Sequence, residues 1–181
     1  MILLVLGLAL WVGAHLFKRL APDARAGLGS SGKALVAVAI VAALVLMILG
    51  YRAAPFVAVW TPPPFMVHVN NLLMVVAVFI YGMSATTGRL RGKMRHPQLT
   101  AVKIWAVAHL LVNGDLAAIV LFGGLLLWAV AEVVIINRSE PWDRPAPGPA
   151  KKDVTLVIVT IAMFAVITAI HAWLGVWPFP G

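Results

Sequence analysis

The sequence predicts an all-α integral membrane protein, a polytopic bundle of six transmembrane helices. Three observations carry that prediction. Apolar side chains make up 62% of the 181 residues and charged ones only 11%, against roughly 45–50% and ~25% in soluble domains, so the chain cannot supply a polar exterior. The apolar residues fall into six stretches, each near the ~20 residues a helix needs to cross ~30 Å of hydrocarbon. Alternation of period two is absent, and open sheet edges find no hydrogen-bond partners in lipid.

The first span, 1–17, runs apolar from Met1 and is followed by Lys18 and Arg19. A signal peptide carries its charges ahead of the apolar run, so a retained helix is expected. The glycine-rich run Gly27–Gly32 has no strand before it and reads as a flexible loop. The second span, 34–54, ends near Gly50-Tyr51-Arg52. Beyond it, Trp60 is expected to anchor at the interface, Thr61 to cap, and Pro62–Pro64 to open the third span, 65–82, without costing interior hydrogen bonds. His68, Asn70 and Asn71 lie near the start of that span.

The fourth span, 97–113, starts on Pro97, contains Lys103, Trp105 and His109, and stops at Asn113-Gly114-Asp115. So short a turn requires the fifth span, 116–136, to pack antiparallel to the fourth. Residues 137–153 are rich in proline and charge and cannot enter a membrane. Asp153 is expected to cap the sixth span, 154–172, after which WLGVWPFPG trails off at an interface.

The formal charge is +8. Loops 18–33, 85–96 and 137–153 hold 12 of the 14 Lys and Arg residues, four in each, and the loops between them hold Arg52 alone. The positive-inside rule then places these three loops in the cytoplasm and both termini in the periplasm. Basic residues divided among short loops suit anionic lipid headgroups rather than nucleic acid. The absence of cysteine removes disulfides, thiolate ligands and thiol nucleophiles, and leaves histidine as the metal ligand.

Ionisable groups within spans are costly and usually face the bundle interior. Lys103 and Glu132 stand at matching depths on neighbouring helices and are expected to form an ion pair. His68, His109 and His171 fall in an outer layer, and His15 and His96 lie toward the cytoplasm. Neutral imidazole ligates haem iron, zinc and copper. Trp11, Trp105 and Phe65 could wall a flat macrocycle, and Trp105 shares a helix face with His109 four residues on. WVGAHL at 11–16 and WAVAHL at 105–110 echo each other, but the remainder of the two halves does not align. Phosphate-binding glycine loops, serine triads and zinc-protease motifs are absent, and the six carboxylates form no cluster at ligand spacing.

The sequence resembles the NnrU family of bacterial membrane proteins. The resemblance is carried by His15-Leu16, Gly50-Tyr51-Arg52, Trp60-x-Pro-Pro with His68 and Leu72-Leu73-Met74, and Arg95-His96-Pro97. It continues through Lys103-x-Trp105-Ala106-x-Ala108-His109-Leu110 into Asn113-Gly114-Asp115, and then Phe122-Gly123-Gly124, Asp153 and His171. That family is associated with nitrite and nitric oxide reduction in denitrifying bacteria. It is also similar to 15-cis-zeta-carotene isomerase, an integral membrane enzyme that holds haem b.

The resemblance implies a haem b cofactor with His109 and His15 as iron ligands. Depth alone favours His68 or His171 opposite His109, and His68 is kept as the second candidate. Ala106 stands where the isomerase has a cysteine thought to take part in ligand switching, so that switch is absent. The expected protein is thus a six-helix, haem b-binding protein of the bacterial inner membrane, a partner of nitrogen-oxide respiration. One rival is a haem-dependent isomerase of an apolar polyene, favoured by a long lateral pocket beside His109. The other is an accessory or transport protein whose histidines are structural.

Overall fold

A computed structural model describes residues 1–179. The fold is all-helical: α1 (Ile2–Leu20), α2 (Pro22–Gly27), α3 (Ser31–Arg52), α4 (Met66–Gly82), α5 (Pro97–Leu110), α6 (Leu116–Ser139) and α7 (Lys151–Trp173). Six of the seven helices stand where the six spans were expected. The extra one, α2, starts on Pro22 with Asp23 in its first turn, a helix-start signal inside the first basic loop. It converts the expected flexible run 27–32 into a tight turn, with Gly29 at φ +54°.

Four helices, α1, α3, α6 and α7, are long and apolar enough to cross a membrane. The remaining two of the six expected spans are shorter. Helix α4 is apolar over 17 residues, and α5 has 14, about 21 Å of rise against a ~30 Å core. Helical hydrogen bonds continue one turn past α5, from Asn113 N to His109 O at 3.0 Å.

Helices α1, α3 and α6 pack together, and α5, α4 and α7 continue from α6 in a row. Helix α1 packs on α3 and α6, α6 on α5, α5 on α4, and α4 on α7. Helix α6 thus touches both α1 and α5. The packed surfaces are made of small residues: Ala43, Ala101, Ala106, Ala108, Ala118 and Ala129 are nearly or wholly buried, whereas Val38, Leu127, Ile158 and Ile161 are each more than 60% exposed. This inverts the soluble pattern and is what helices in lipid adopt, where close backbone approach replaces the hydrophobic effect as the cause of association. The closest approach is between α1 and α3: a Cβ on Gly50 would fall on the backbone of Leu4, and one on Gly7 would meet Met47.

The three basic loops gather at one end. Arg19 reaches Glu140 at 3.5 Å, Arg89 pairs with Asp153 at 2.9 Å, Arg95 donates to the Glu140 carbonyl at 2.6 Å, and Arg144 donates to the Gly92 carbonyl at 2.9 Å. At the opposite end, Val59 and Trp60 donate to the Gly114 carbonyl at 2.8 and 3.1 Å, an isolated bridge pairs Ala58 with Asp115, and Asp115 caps α6 by accepting from Ala118 N at 2.9 Å.

Three local expectations give way. Thr61 does not cap α4, which starts after Phe65 once the three prolines have been passed. Asp153 does not cap α7; it lies in the first turn, drawn to Arg89. The C-terminal segment folds back at Gly175 (φ +82°): Val176 N donates to His171 O at 2.9 Å, Asn71 Nδ2 donates to Pro178 O at 2.9 Å, and Phe179 packs on Phe164 with centroids 6.4 Å apart.

Candidate functional site

Three helical histidines share one geometry. The Nδ1 atoms of His15, His109 and His171 lie 2.9, 2.9 and 2.8 Å from the carbonyl oxygens of Trp11, Trp105 and Ile167, each four residues earlier. A carbonyl only accepts, so a ring proton is on Nδ1 in each case, and in the neutral ring Nε2 keeps its lone pair. Anchoring one ring nitrogen in this way fixes the tautomer and leaves the other as a ligand or base. His68 makes no such bond among the described residues and stands on an exposed face of α4. His96 is bonded to the Asn137 side chain at 2.8 Å, at the basic end.

His109 is half-buried. Its ring stacks on Phe122 of α6 (4.6 Å, 30°) and lies 5.2 Å from the Trp105 ring. Trp105 in turn meets Phe122 edge-on at 5.0 Å, and the group rests on buried Ala106 and Ala118. The other face of this region is an apolar groove of about 530 Å³ between α4, α5 and α7, with Trp105, Met74, Val78, Met163 and His171 among its walls. The groove thus brings Trp105 and His171 together from helices that scarcely touch.

His15 lies elsewhere. Its ring is 4.3 Å from Trp11 and 4.7 Å from Trp128 of α6. Trp128 and Phe122 are six residues apart on α6, which is about 9 Å along the axis and about 120° around it. His15 and His109 therefore flank α6 on different sides and at different depths. The expected His15–His109 pairing finds no direct contact between the two rings among the described residues.

The expected Lys103–Glu132 pair does not form either. Glu132 Oε1 is 3.3 Å from Arg19 Nη1, and half-buried Lys103 takes part in no ion pair among the described residues. The cause is the rotation of α6. Its residues Gly124, Trp128 and Glu132 form one stripe toward α1, against Leu8, Trp11 and His15, and Arg19. Ala118 and Phe122 form a different stripe, toward α5. A carboxylate on the first stripe cannot reach α5.

The α1–α6 seam is polar well inside the apolar stretch. Trp11 Nε1, Arg19 Nε, Trp128 Nε1 and Glu132 Oε2 are buried without hydrogen-bond partners, as is Asn70 Oδ1 on α4, among the described residues. Sequence reading missed this seam, although the spacing of four in Trp11, His15 and Arg19, and in Trp128 and Glu132, marks the two facing stripes. No group of three or more His, Asp or Glu that could hold a metal ion occurs among the described residues.

No curated protein and no solved structure matches the chain. One family model does, that of the NnrU protein, over residues 3–178. That match covers the helices, both faces of α6 and the groove, and the chain belongs to the NnrU family.

Proposed function

We propose that this membrane protein binds haem b through His109 and supports nitrite and nitric oxide reduction in the bacterial inner membrane, with the basic loops cytoplasmic and both termini periplasmic. The observation that supports it most directly is the His109 ring, with Nδ1–H held at 2.9 Å by the Trp105 carbonyl, Nε2 free, and aromatic rings on two sides. A porphyrin brings its own equatorial nitrogens, so one imidazole suffices to hold it, and a cluster of ionisable ligands is not required. This reading takes His109 as the ligand; His15 rests on Trp128, on another part of α6 from the Phe122 that carries His109. Bound haem would supply an iron that exchanges electrons. The chain's own residues orient the imidazole through the Trp105 carbonyl, exclude water with Trp105 and Phe122, and add no net charge to the membrane interior. The link to nitrogen-oxide respiration rests on family membership. The test is the visible spectrum of protein purified in detergent after expression with ample haem. A Soret band lost in His109→Ala, with the polypeptide still inserted, supports the reading, and wild-type protein without haem overturns it.

A second reading, a haem-dependent isomerase of an apolar polyene, is favoured by the groove on the far side of Trp105. Ala106 leaves no thiol for ligand switching. Membranes containing the protein, incubated with a cis isomer of zeta-carotene and analysed by chromatography, test it; an unchanged isomer distribution sets it aside.

A further inference from the structure

Two cavities meet at the basic end of α4. The apolar groove is lined from Met74 to Ala85 on the α4 side and from Val159 to His171 on α7, about 18 Å of helix, a little more than one leaflet of a ~30 Å core. The second cavity, of about 460 Å³, lies between the loop before α5 and the segment after α6. Arg91, Arg95, His96 and Trp142 line it, and no carboxylate does. Ser84 lines both cavities.

The charges of this second cavity are not consumed by neighbours. Arg91 is exposed and its side chain makes no hydrogen bond or ion pair among the described residues. Arg95 is fixed to the wall through one nitrogen, Nη2, which donates to the carbonyls of Glu140, Ile136 and Pro141 at 2.6, 3.4 and 3.4 Å, and its Nε and Nη1 make no hydrogen bond among the described residues. The nearby carboxylates are engaged elsewhere: Glu140 with Arg19 at 3.5 Å and Asp153 with Arg89 at 2.9 Å. Exposed Asp143 does not line the cavity.

We propose that the two cavities are one binding site for an anionic amphiphile, with a phosphate-bearing head group between Arg91, Arg95 and His96 and an apolar chain in the groove between α4, α5 and α7. Guanidinium groups match phosphate oxygens in charge and fork geometry. Basic pockets at the ends of membrane helices are where phosphate head groups are held, and Trp142 supplies the amphipathic ring that settles at that level. A neutral polyene fills the groove but leaves the arginines unmatched, whereas a free phosphate matches the arginines and ignores the groove. Only a molecule with both parts uses both cavities. The site uses neither His109 nor iron; it shares the Trp105 and His171 walls with the haem reading, and Arg91→Gln, which touches neither wall, separates the two.

The experiment is native mass spectrometry of the full chain in a neutral detergent, titrated with four probes: phosphatidylglycerol, farnesyl monophosphate, farnesol and inorganic phosphate. One retained equivalent of either phosphate amphiphile is expected, with farnesol and inorganic phosphate retained far less. Arg91→Gln, an exposed change that spares the fold, should weaken retention about fivefold. Val78→Phe, which narrows the groove, should weaken it too, and Met163→Phe on the opposite wall replaces it should that variant not fold. Retention of phosphatidylglycerol alone assigns the site to a bilayer lipid, and of farnesyl monophosphate alone to an isoprenyl phosphate; either outcome supports the proposal. Farnesol held as tightly as its phosphate, inorganic phosphate competing on equal terms, or unchanged affinity in Arg91→Gln overturns it.

Discussion

Arg19 of α1 and Glu132 of α6 pair at 3.3 Å, with the carboxylate side chain 8% exposed and the guanidinium 21%. The pair ties together two helices that are distant in sequence and run side by side, at the level where the apolar seam opens toward the basic loops. Breaking a buried pair leaves an uncompensated charge, which costs more than removing both partners. Arg19→Met should destabilise the protein by on the order of 3 kcal/mol. The double change with Glu132→Gln should be milder, and Lys103→Met should leave Glu132 unaffected. Thermal unfolding in detergent across the double-mutant cycle gives the coupling energy. Additive losses for Arg19 and Glu132, or coupling of Glu132 to Lys103, contradict the pairing.

What sequence could and could not show divides along a physical line. Local signals were legible. Pro97 marks the start of α5, Asn113-Gly114-Asp115 the hairpin, and Asp115 the cap of α6, because turns and caps depend on a few adjacent residues. The demand of Glu132 for a cation was legible for the same reason, from its apolar surround. The identity of that cation was not, because it depends on how α6 is rotated and on which helix lies at its side, and neither is a local property. The same rotation places His15 and His109 on different flanks. The fold-back of the C-terminal segment had a visible signal in Gly175, but its anchor, Asn71, is over a hundred residues away.

Close packing of α1 on α3 yields a second prediction. A Cβ at Gly50 would fall on the backbone of Leu4, while one at Gly13 would meet nothing within 4 Å. Gly50→Ala must push the helices apart and should cost about 1–3 kcal/mol, the usual penalty of overpacking. Gly13→Ala should be neutral. Equal unfolding temperatures for the two variants would show that the helices do not approach this closely.

The meeting of the three basic loops predicts a labelling pattern. The chain has no cysteine, so single cysteines report without background. Ala26→Cys, Lys93→Cys and Ala150→Cys should react with a membrane-impermeant maleimide from the same side of sealed vesicles, and Thr61→Cys from the other. With the positive-inside rule the shared side is the cytoplasm. One loop labelling apart from the other two would break the arrangement, and all three labelling from the periplasm would invert it.

The last prediction concerns the two histidines that echo each other in sequence. His15 and His109 have the same carbonyl anchor and the same tryptophan four residues earlier. Two histidines that held one haem would have to come close to one another. Here the rings rest on Trp128 and Phe122, separated by about 9 Å along α6 and about a third of a turn around it. If haem is bound as proposed, His109→Ala should abolish its visible spectrum, whereas His15→Ala should leave the Soret position and bound fraction unchanged. It should act instead on stability, by about 1 kcal/mol or more, through lost packing between Trp11 and Trp128. His68→Ala, on an exposed face, should change neither property. His171→Ala is the informative fourth variant, because His171 lines the groove that Trp105 walls; a shift from a six- to a five-coordinate spectrum there would identify the opposite ligand. Loss of haem in His15→Ala with the fold intact would mean that α6 moves aside when the cofactor binds, and the flanking arrangement would not describe the loaded protein.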